Sequence, residues 1–172
     1  ECLVEGEITR LMAIYGDWTS LERVGNIRSC RDYFVYWAFE WDAIYCHAGG
    51  PFYIDEVISR PDTQNINALV APQGVFYRSS DRSAPQNLYL DGEDIWDEAE
   101  RLRYSLTPRD NFADDVHFQF ASASKPNNFE EYGSDAVSAL KIDLAAAYPV
   151  TKTWFEYNEA DGLYYRYQAP SG

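Results

Sequence analysis

Two arginines stand on either side of a serine near the start of the chain, in the segment Arg28-Ser29-Cys30-Arg31. Ser29 and Asp32 have the spacing of a capping box, in which the hydroxyl and the carboxylate each accept a backbone N–H at the first turn of a helix. This spacing predicts a helix that runs to about Trp41. Both guanidinium groups would then lie beside backbone amides that can bind an anion.

The two guanidinium groups need a negative partner, because cations oppose the positive end of the helix dipole at a cost of about 0.3–1 kcal/mol each. One source is an internal carboxylate such as Glu5, Glu7 or Asp42. The other is a bound anion. We favour the internal salt bridge, since structural ion pairs commonly imitate binding sites.

A histidine and two glycines follow a predicted buried strand at residues 43–47 and precede a predicted helix at residues 51–59, which Gly50 would cap. The glycines allow a ligand to approach backbone amides closely, and the imidazole of His47 could act as a base, an acid or a donor to an anion. The same residues also suit a turn in which Gly49 or Gly50 adopts a positive φ and the imidazole bonds a backbone carbonyl. We favour this structural interpretation.

Arg78 and Arg82 flank a second polar loop, which runs into the segment Ala84–Tyr89. The amide side chains of Gln86 and Asn87 can orient a ligand through their donors and acceptors. They can equally close a turn by bonding nearby backbone groups. The loop alone does not separate these two roles.

About three helices and six or seven strands are predicted to position these residues. Asp91-Gly92-Glu93-Asp94 is a second capping pattern, which opens a helix to about Arg103. The elements mix without strict alternation, which predicts an α+β fold with a mixed, largely antiparallel sheet. The predicted strands lie at residues 7–15, 43–47, 74–77, 117–120, 136–144, 150–157 and 163–167, and the last two form a hairpin.

The net charge of −14, from 28 acidic and 14 basic residues, excludes two classes of partner. A nucleic-acid-binding surface needs a basic face to neutralise phosphates, and docking on anionic lipid needs the same. Hydrophobic residues make up 46% of the chain, enough for the core of one domain over residues 1–172. No apolar run of about 18 residues is present, so no transmembrane helix is predicted.

The cysteines, Cys2, Cys30 and Cys46, are too few and too irregularly spaced for a disulfide framework or a zinc site. We expect free thiols and neither a metal nor a cofactor. The sequence also lacks a nucleophile elbow, a phosphate-binding loop and a dinucleotide-binding fingerprint.

Four ordered segments resemble the YerB-like family of bacterial lipoproteins, whose N-terminal domain has no assigned function. They are Val4–Arg10, Gly25–Arg31, Asp42–Gly50 and Ala84–Tyr89, and the tail at residues 148–167 resembles the closing strands of the family. The resemblance implies a layered ββα domain in an exported, lipid-anchored parent protein. It also implies a strand-forming segment before residue 1 and a second domain after about residue 168.

One departure from the family pattern bears on mechanism. The usual Ala-Pro-His-Asn motif is Ala-Pro-Gln-Asn here, and Gln86 cannot exchange protons near neutral pH. Acid–base chemistry at this position would be impaired, whereas binding would survive.

We therefore expect an extracytoplasmic domain that binds an anionic or polar small ligand in an arginine-lined cleft, with contact to the membrane only through a lipid anchor. Two alternatives stay open: a hydrolase with His47 as general base, and a module that docks a protein partner in the cell envelope. The residues of the predicted site are Glu5, Arg10, Arg28, Ser29, Arg31, His47, Gly49, Gly50, Arg78, Gln86 and Asn87.

Overall fold

A computed structural model of the chain describes residues 1–110, 112, 121–122, 124–125, 130–135 and 137–169. The strands and α-helices of this part are β1 (Cys2–Leu3), β2 (Thr9–Arg10), β3 (Val24–Gly25), α1 (Asp32–Glu40), β4 (Tyr45–His47), α2 (Asp55–Ile58), β5 (Asn65–Asn67), β6 (Phe76–Arg78), β7 (Leu88–Leu90), α3 (Gly92–Arg101), β8 (Lys141–Asp143), β9 (Thr153–Asn158) and β10 (Leu163–Gln168). Short 3-10 turns lie at Glu5–Glu7, Phe52–Ile54 and Glu130–Asp135.

The chain divides into two compact units. Residues 14–114 form the central unit. Residues 1–13 and 115–172 together form the terminal unit. The sequence predicts a single domain over the whole chain, and that expectation stays a prediction.

The central unit contains one antiparallel and one parallel group of strands. β7 lies between β3 and β6 and pairs antiparallel with both, so that Tyr89 is opposite Gly25 on one side and Tyr77 on the other. β4 and β5 pair in parallel, with His47 opposite Asn67. The connection between these two strands carries α2, as a parallel crossover requires.

Two apolar clusters hold the central unit together. Ile66 of β5 and Leu90 of β7 pack with Ile95 and Ala99 of α3. A second cluster joins α1 to α2 and is formed by Cys30, Val35, Ile54 and Val57. Asp91 caps α3 by accepting a hydrogen bond from the backbone N–H of Glu93, which satisfies one of the free donors at the start of the helix.

The terminal unit contains the antiparallel sheet β8–β9–β10 and the pair β1–β2. β9 and β10 form a hairpin with Asn158 opposite Leu163, and β8 pairs with the other edge of β9. One face of this sheet packs inward: the Thr153 side chain is fully buried, and Arg166 bonds both carboxylate oxygens of Glu1.

The α+β class is confirmed, with three α-helices and mixed pairing in the described residues. The predicted hairpin is observed as β9–β10, and the capped helix at Asp91 as α3. No helix in the described residues is long and apolar enough to cross a membrane. The strand expected at residues 117–120 lies outside the described residues. Residue 136, the first of the strand expected at residues 136–144, also lies outside them.

The prediction of a capping box at Ser29 is wrong. Helix α1 begins at Asp32, and Arg31 precedes it in an extended conformation without a side-chain cap. The Asp32 carboxylate accepts instead from the N–H of Tyr33, at 3.0 Å. Ser29 and Cys30 are kept out of the helix because the Cys30 N–H bonds the Gly49 carbonyl at 2.8 Å.

Several other element bounds also differ from prediction, and the strands expected at residues 43–47, 136–144 and 150–157 begin later, at Tyr45, Lys141 and Thr153. The strand expected at residues 7–15 is limited to β2, because the chain turns at Gly6, where φ is +72°. The helix expected at residues 51–59 is a 3-10 turn followed by the short α2, and Pro51, not Gly50, occupies the capping position. The strand expected at residues 74–77 begins at Phe76.

Substitution of Gly92 by alanine should destabilise the chain, because a Cβ at this position would lie 1.9 Å from the Trp18 carbonyl oxygen. We expect the free energy of unfolding to fall by about 2–3 kcal/mol, measured by urea denaturation. Gly16→Ala is the matched control, since no atom lies within 4 Å of a Cβ there. Equal stability of the two variants would show that the Trp18 segment moves aside freely.

Candidate functional site

A short extended segment, residues 27–30, connects the two predicted polar loops. The N–H of Ile27 bonds the Leu88 carbonyl at 2.7 Å, at the end of the Ala84–Tyr89 motif. The Arg28 carbonyl accepts from the N–H of Ala48 at 3.0 Å, in the loop after His47. These backbone bonds link three motifs that are distant in sequence through one short segment. A single recess shared by Arg28, His47 and Asn87 stays a prediction.

Two guanidinium groups bond the tract at residues 85–87. Arg28 Nη1 donates to the Pro85 carbonyl at 3.0 Å, and Arg78 Nη1 donates to Asn87 Oδ1 at 2.8 Å. Asn87 is buried and also bonds the Ser79 carbonyl through Nδ2 at 3.0 Å. The two arginines are therefore anchored at either end of a three-residue tract, with the exposed side chain of Gln86 between them.

The charge around this tract is positive and only partly neutralised. Arg23 pairs with Asp81 at 2.8 Å and lies 4.2 Å from the centroid of the Tyr89 ring. Hydrogen bonds from Arg23 and then Arg82 lower the pKa of the Tyr89 phenol. In the part of the chain that the structure describes, no carboxylate forms a salt bridge with Arg28, Arg78 or Arg82.

The imidazole of His47 is enclosed by the protein. Its exposed fraction is 2%. Nδ1 lies 2.9 Å from the Gly49 carbonyl, and Nε2 lies 3.1 Å from Asn65 Oδ1. The Tyr45 ring stacks on the imidazole with centroids 5.3 Å apart. This is the structural arrangement that the sequence favours, with a histidine bonded to a backbone carbonyl.

The glycines after His47 have packing reasons of their own. Gly49 has a φ of +63°, and a Cβ there would meet Leu69 at 2.6 Å. A Cβ on Gly50 would meet the Ile54 side chain at 2.4 Å. Asn67 Oδ1 fixes the loop by accepting from the N–H groups of Gly49 and Leu69.

The remaining predicted residues occupy several places. Arg31 is buried, and its Nη1 bonds the Cys30 carbonyl at 2.6 Å. Ser29 is half-buried beside it. Glu5 and Arg10 belong to the terminal unit, in the first 3-10 turn and in β2. The ligand-binding role of all these residues stays a prediction.

Asp42, one of the carboxylates proposed as an internal partner, has a different role. Its side chain is 4% exposed and forms an ion pair with Arg109. Asp42 Oδ2 also accepts from the N–H of Arg109 at 2.6 Å. Asp42 therefore fixes the turn between α1 and β4.

Sequence reasoning missed the supporting residues of this site. Asn65 and Asn67 bond the His47 loop from β5, and Arg23 reaches the 79–87 loop from outside every motif. The sequence did contain a signal for the two asparagines, because residues two positions apart in a strand project to the same face. Two shallow hollows in the described residues lie elsewhere, one beside Trp96 and one on β9–β10.

Two free thiols lie in the central unit. Burial raises the pKa of the Cys30 thiol to about 11, although a hydrogen bond with Tyr45 lowers it, and burial raises the pKa of Cys46 to about 12. Cys2, in the terminal unit, also has a raised pKa, chiefly through burial. The prediction of three free thiols is confirmed. In the described residues no cluster of histidine, cysteine and carboxylate side chains could hold a metal ion.

The fold and the site define a class: an α+β protein in which an extended segment joins a histidine-glycine loop to an arginine-rich hairpin loop. The chain belongs to the DUF3048 family, since the model of its N-terminal domain, described as a protein of unknown function, matches residues 1–105. The resemblance of the sequence motifs to the YerB-like family is confirmed by this match together with two YerB relatives.

Two relatives extend this comparison. The chain is 30% identical over 144 residues to the "Putative lipoprotein YerB" of Bacillus subtilis (strain 168). The match covers 81% of the chain and 42% of the relative. The crystal structure of the YerB protein from Bacillus subtilis has the same fold, with a TM-score of 0.73 and 22% identity over 99% of this chain and 52% of that one. The chain thus spans about half the length of these relatives.

Replacement of His47 by alanine should reduce stability, because it removes a fully buried ring whose nitrogens lie 2.9 Å from the Gly49 carbonyl and 3.1 Å from Asn65 Oδ1. We expect a loss of about 2–4 kcal/mol in the free energy of unfolding, measured by urea denaturation. Glu56→Ala, at an exposed position of α2, should change it by less than about 0.5 kcal/mol. A His47→Ala variant as stable as the control would contradict the structural role of the imidazole.

Alkylation should distinguish the thiols. At pH 8 a thiol with a pKa of about 11, as at Cys30, is ionised in only about one molecule in a thousand, and the thiolate is the nucleophile. We expect iodoacetamide to modify the folded chain slowly at Cys30 and Cys46, and all three cysteines readily in urea, as read by peptide mass spectrometry. Fast labelling of Cys46 in the folded chain would contradict its burial.

Proposed function

We propose that the chain is part of an extracytoplasmic lipoprotein and that its central unit binds an anionic ligand at Arg28 and Arg78. The extracytoplasmic location is supported by a relative that is named a lipoprotein and shares 30% identity with the chain. A lipoprotein is held at a membrane surface by a covalent lipid, so the protein portion needs no spanning helix. The ligand site is supported by the contacts around residues 85–87.

The observation that carries the proposal is that both guanidinium groups are held by neutral oxygens. Arg28 bonds a backbone carbonyl and Arg78 bonds an amide oxygen. Each guanidinium has five N–H donors in a planar fork, and these bonds use one nitrogen of each. The remaining donors match a carboxylate or a phosphate group, which guanidinium binds through paired hydrogen bonds.

The loop supplies the other polar groups that such a ligand needs. Gln86 is exposed between the two anchoring residues, and its amide can donate or accept. Arg82 and Arg23 lie beside Tyr89, at the end of the same motif. A ligand with several oxygens could bond Gln86 and both anchored arginines together.

Binding is favoured over catalysis by the contacts of His47. A general base must reach the proton that it removes. Both ring nitrogens of His47 already face oxygen acceptors, and the ring is buried. The imidazole therefore supports the loop, and Gln86 offers no replacement base.

The acidic background of the protein does not prevent such a site. A net charge of −14 repels anions at long range. At physiological salt this repulsion is screened beyond about 8 Å, whereas a hydrogen-bonded ion pair at contact is screened much less. The local arrangement of guanidinium groups therefore decides whether an anion binds.

An NMR titration of the chain with inorganic phosphate tests the proposal, with acetate as the carboxylate probe. We expect shifts in the amides of residues 78–87 and in the side-chain amide of Gln86. Arg28→Gln and Arg78→Gln should each weaken binding about five- to tenfold, which corresponds to about 1–1.4 kcal/mol for loss of a charge-assisted bond. The preferred probe identifies the anion class.

Arg60→Gln is the matched control, because it removes the same charge from an exposed arginine of the central unit that is paired with Asp62. It should leave the affinity unchanged within about twofold. An equal loss in all three variants would indicate a general effect of net charge and contradict a specific site. The absence of shifts at residues 78–87 with both probes would also reject it.

A further inference from the structure

The outward face of the β8–β9–β10 sheet carries three cross-strand rows of side chains. The pairing places Lys141, Glu156 and Tyr165 in one row and Asp143, Trp154 and Tyr167 in the next. Asn158 and Leu163 form the third. Residues opposite one another in paired strands project to the same face, so the Glu156 carboxylate lies at the centre of this surface.

Aromatic rings surround this carboxylate. Trp154 and Tyr167 stack almost in parallel, with centroids 5.7 Å apart and planes at 12°. The side chains of Tyr165 and Tyr167 remain 44% and 43% exposed. A shallow hollow lies over them and is lined by Glu156, Tyr157, Asn158, Tyr165 and Tyr167. We call it the hairpin hollow.

Glu156 gives the hairpin hollow a negatively charged hydrogen-bond acceptor. Glu156 Oε1 accepts from Trp154 Nε1 at 2.9 Å, whereas Oε2 has no hydrogen bond from any described residue. The Asn158 amide is used within the turn, where it bonds Asp161 and the N–H of Ala160. The tyrosine hydroxyls of the hollow can donate as well as accept, so it is the negative charge of Glu156 that favours a cation over a neutral saccharide.

The sheet already holds one ammonium group in this manner. Lys141 Nζ lies 5.1 Å from the centroid of the Trp154 ring and 3.7 Å from Glu156 Oε1. A cation is attracted to the negative face of an aromatic ring and to the carboxylate beside it. The rings on the other side of Glu156, at Tyr165 and Tyr167, have no such cation among the described residues.

We propose that the hairpin hollow binds the ammonium group of a small organic cation. The Glu156 carboxylate supplies the opposite charge, and the Tyr165 and Tyr167 rings supply the π faces. Glu159 and Asp161, in the turn of the hairpin, add to the negative charge. The site lies in the terminal unit and is independent of the anion site proposed for the central unit.

The experiment compares choline with 3,3-dimethylbutan-1-ol, its uncharged isostere, in NMR titrations of the chain. We expect choline to shift the amides of residues 154–158 and 163–167, and the isostere to bind at least about fivefold more weakly. N-acetylglucosamine tests the competing occupant. Binding of the sugar or of the isostere as strongly as choline would overturn the proposal.

Variants give effects of opposite sign, which a purely structural role would not produce. Glu156→Gln and Tyr167→Leu should each weaken choline binding about two- to fivefold. Lys141→Met should strengthen it by a similar factor, because it removes the internal ammonium that competes for Glu156. Lys152→Met removes the same charge without those contacts and should have no such effect.

Thermal unfolding of each variant checks that the sheet is intact. If Lys141→Met and Lys152→Met change the affinity equally, the effect is one of net charge and the site is rejected. If Glu156→Gln binds choline as tightly as the parent chain, the carboxylate is not part of the site, and the proposal fails.

Discussion

The central unit depends on the backbone hydrogen bonds of residues 27–30, whose extended conformation lets one short segment bond two loops. Through Ile27 it joins the end of the 79–87 loop, and through Arg28 and Cys30 it joins the loop after His47. Extended backbone exposes its donors and acceptors to both sides, which a helix cannot do because it uses them internally. Helix α1 starts only at Asp32, after the Cys30 N–H has bonded the Gly49 carbonyl.

This constraint explains why neighbouring polar residues have such different environments. His47 is buried, and its two ring nitrogens face the Gly49 carbonyl and the Asn65 amide oxygen. Arg28 is half-buried and Arg78 is exposed, and each is oriented by one neutral oxygen. Residues that the sequence groups together as one polar site are therefore divided into a supporting set and a set that can contact a ligand.

Much of the fold could be predicted from the sequence because its signals are local. Helix α3 has its capping residue, acidic first turn and late arginine within one short segment, and the β9–β10 hairpin has alternating strands around a turn. The start of α1 could not be predicted, because the competing bond to Gly49 comes from residues far along the chain. The same limit applies to the site: Arg28 and Asn87 were identifiable by type, but their anchoring through Pro85 and Arg78 is tertiary.

Ion pairs elsewhere in the described residues show why it matters that Arg28 and Arg78 have no carboxylate partner there. With 28 acidic residues against 14 basic ones, an arginine readily finds a carboxylate, and the buried carboxylates of Asp42 and Glu98 are each paired with one. Burial of a charge is costly unless it is paired, so these pairs are required by the fold. Arg28 and Arg78 are under no such requirement, and the loop instead holds them with a carbonyl and an amide, which orient the guanidinium groups and leave their charge available.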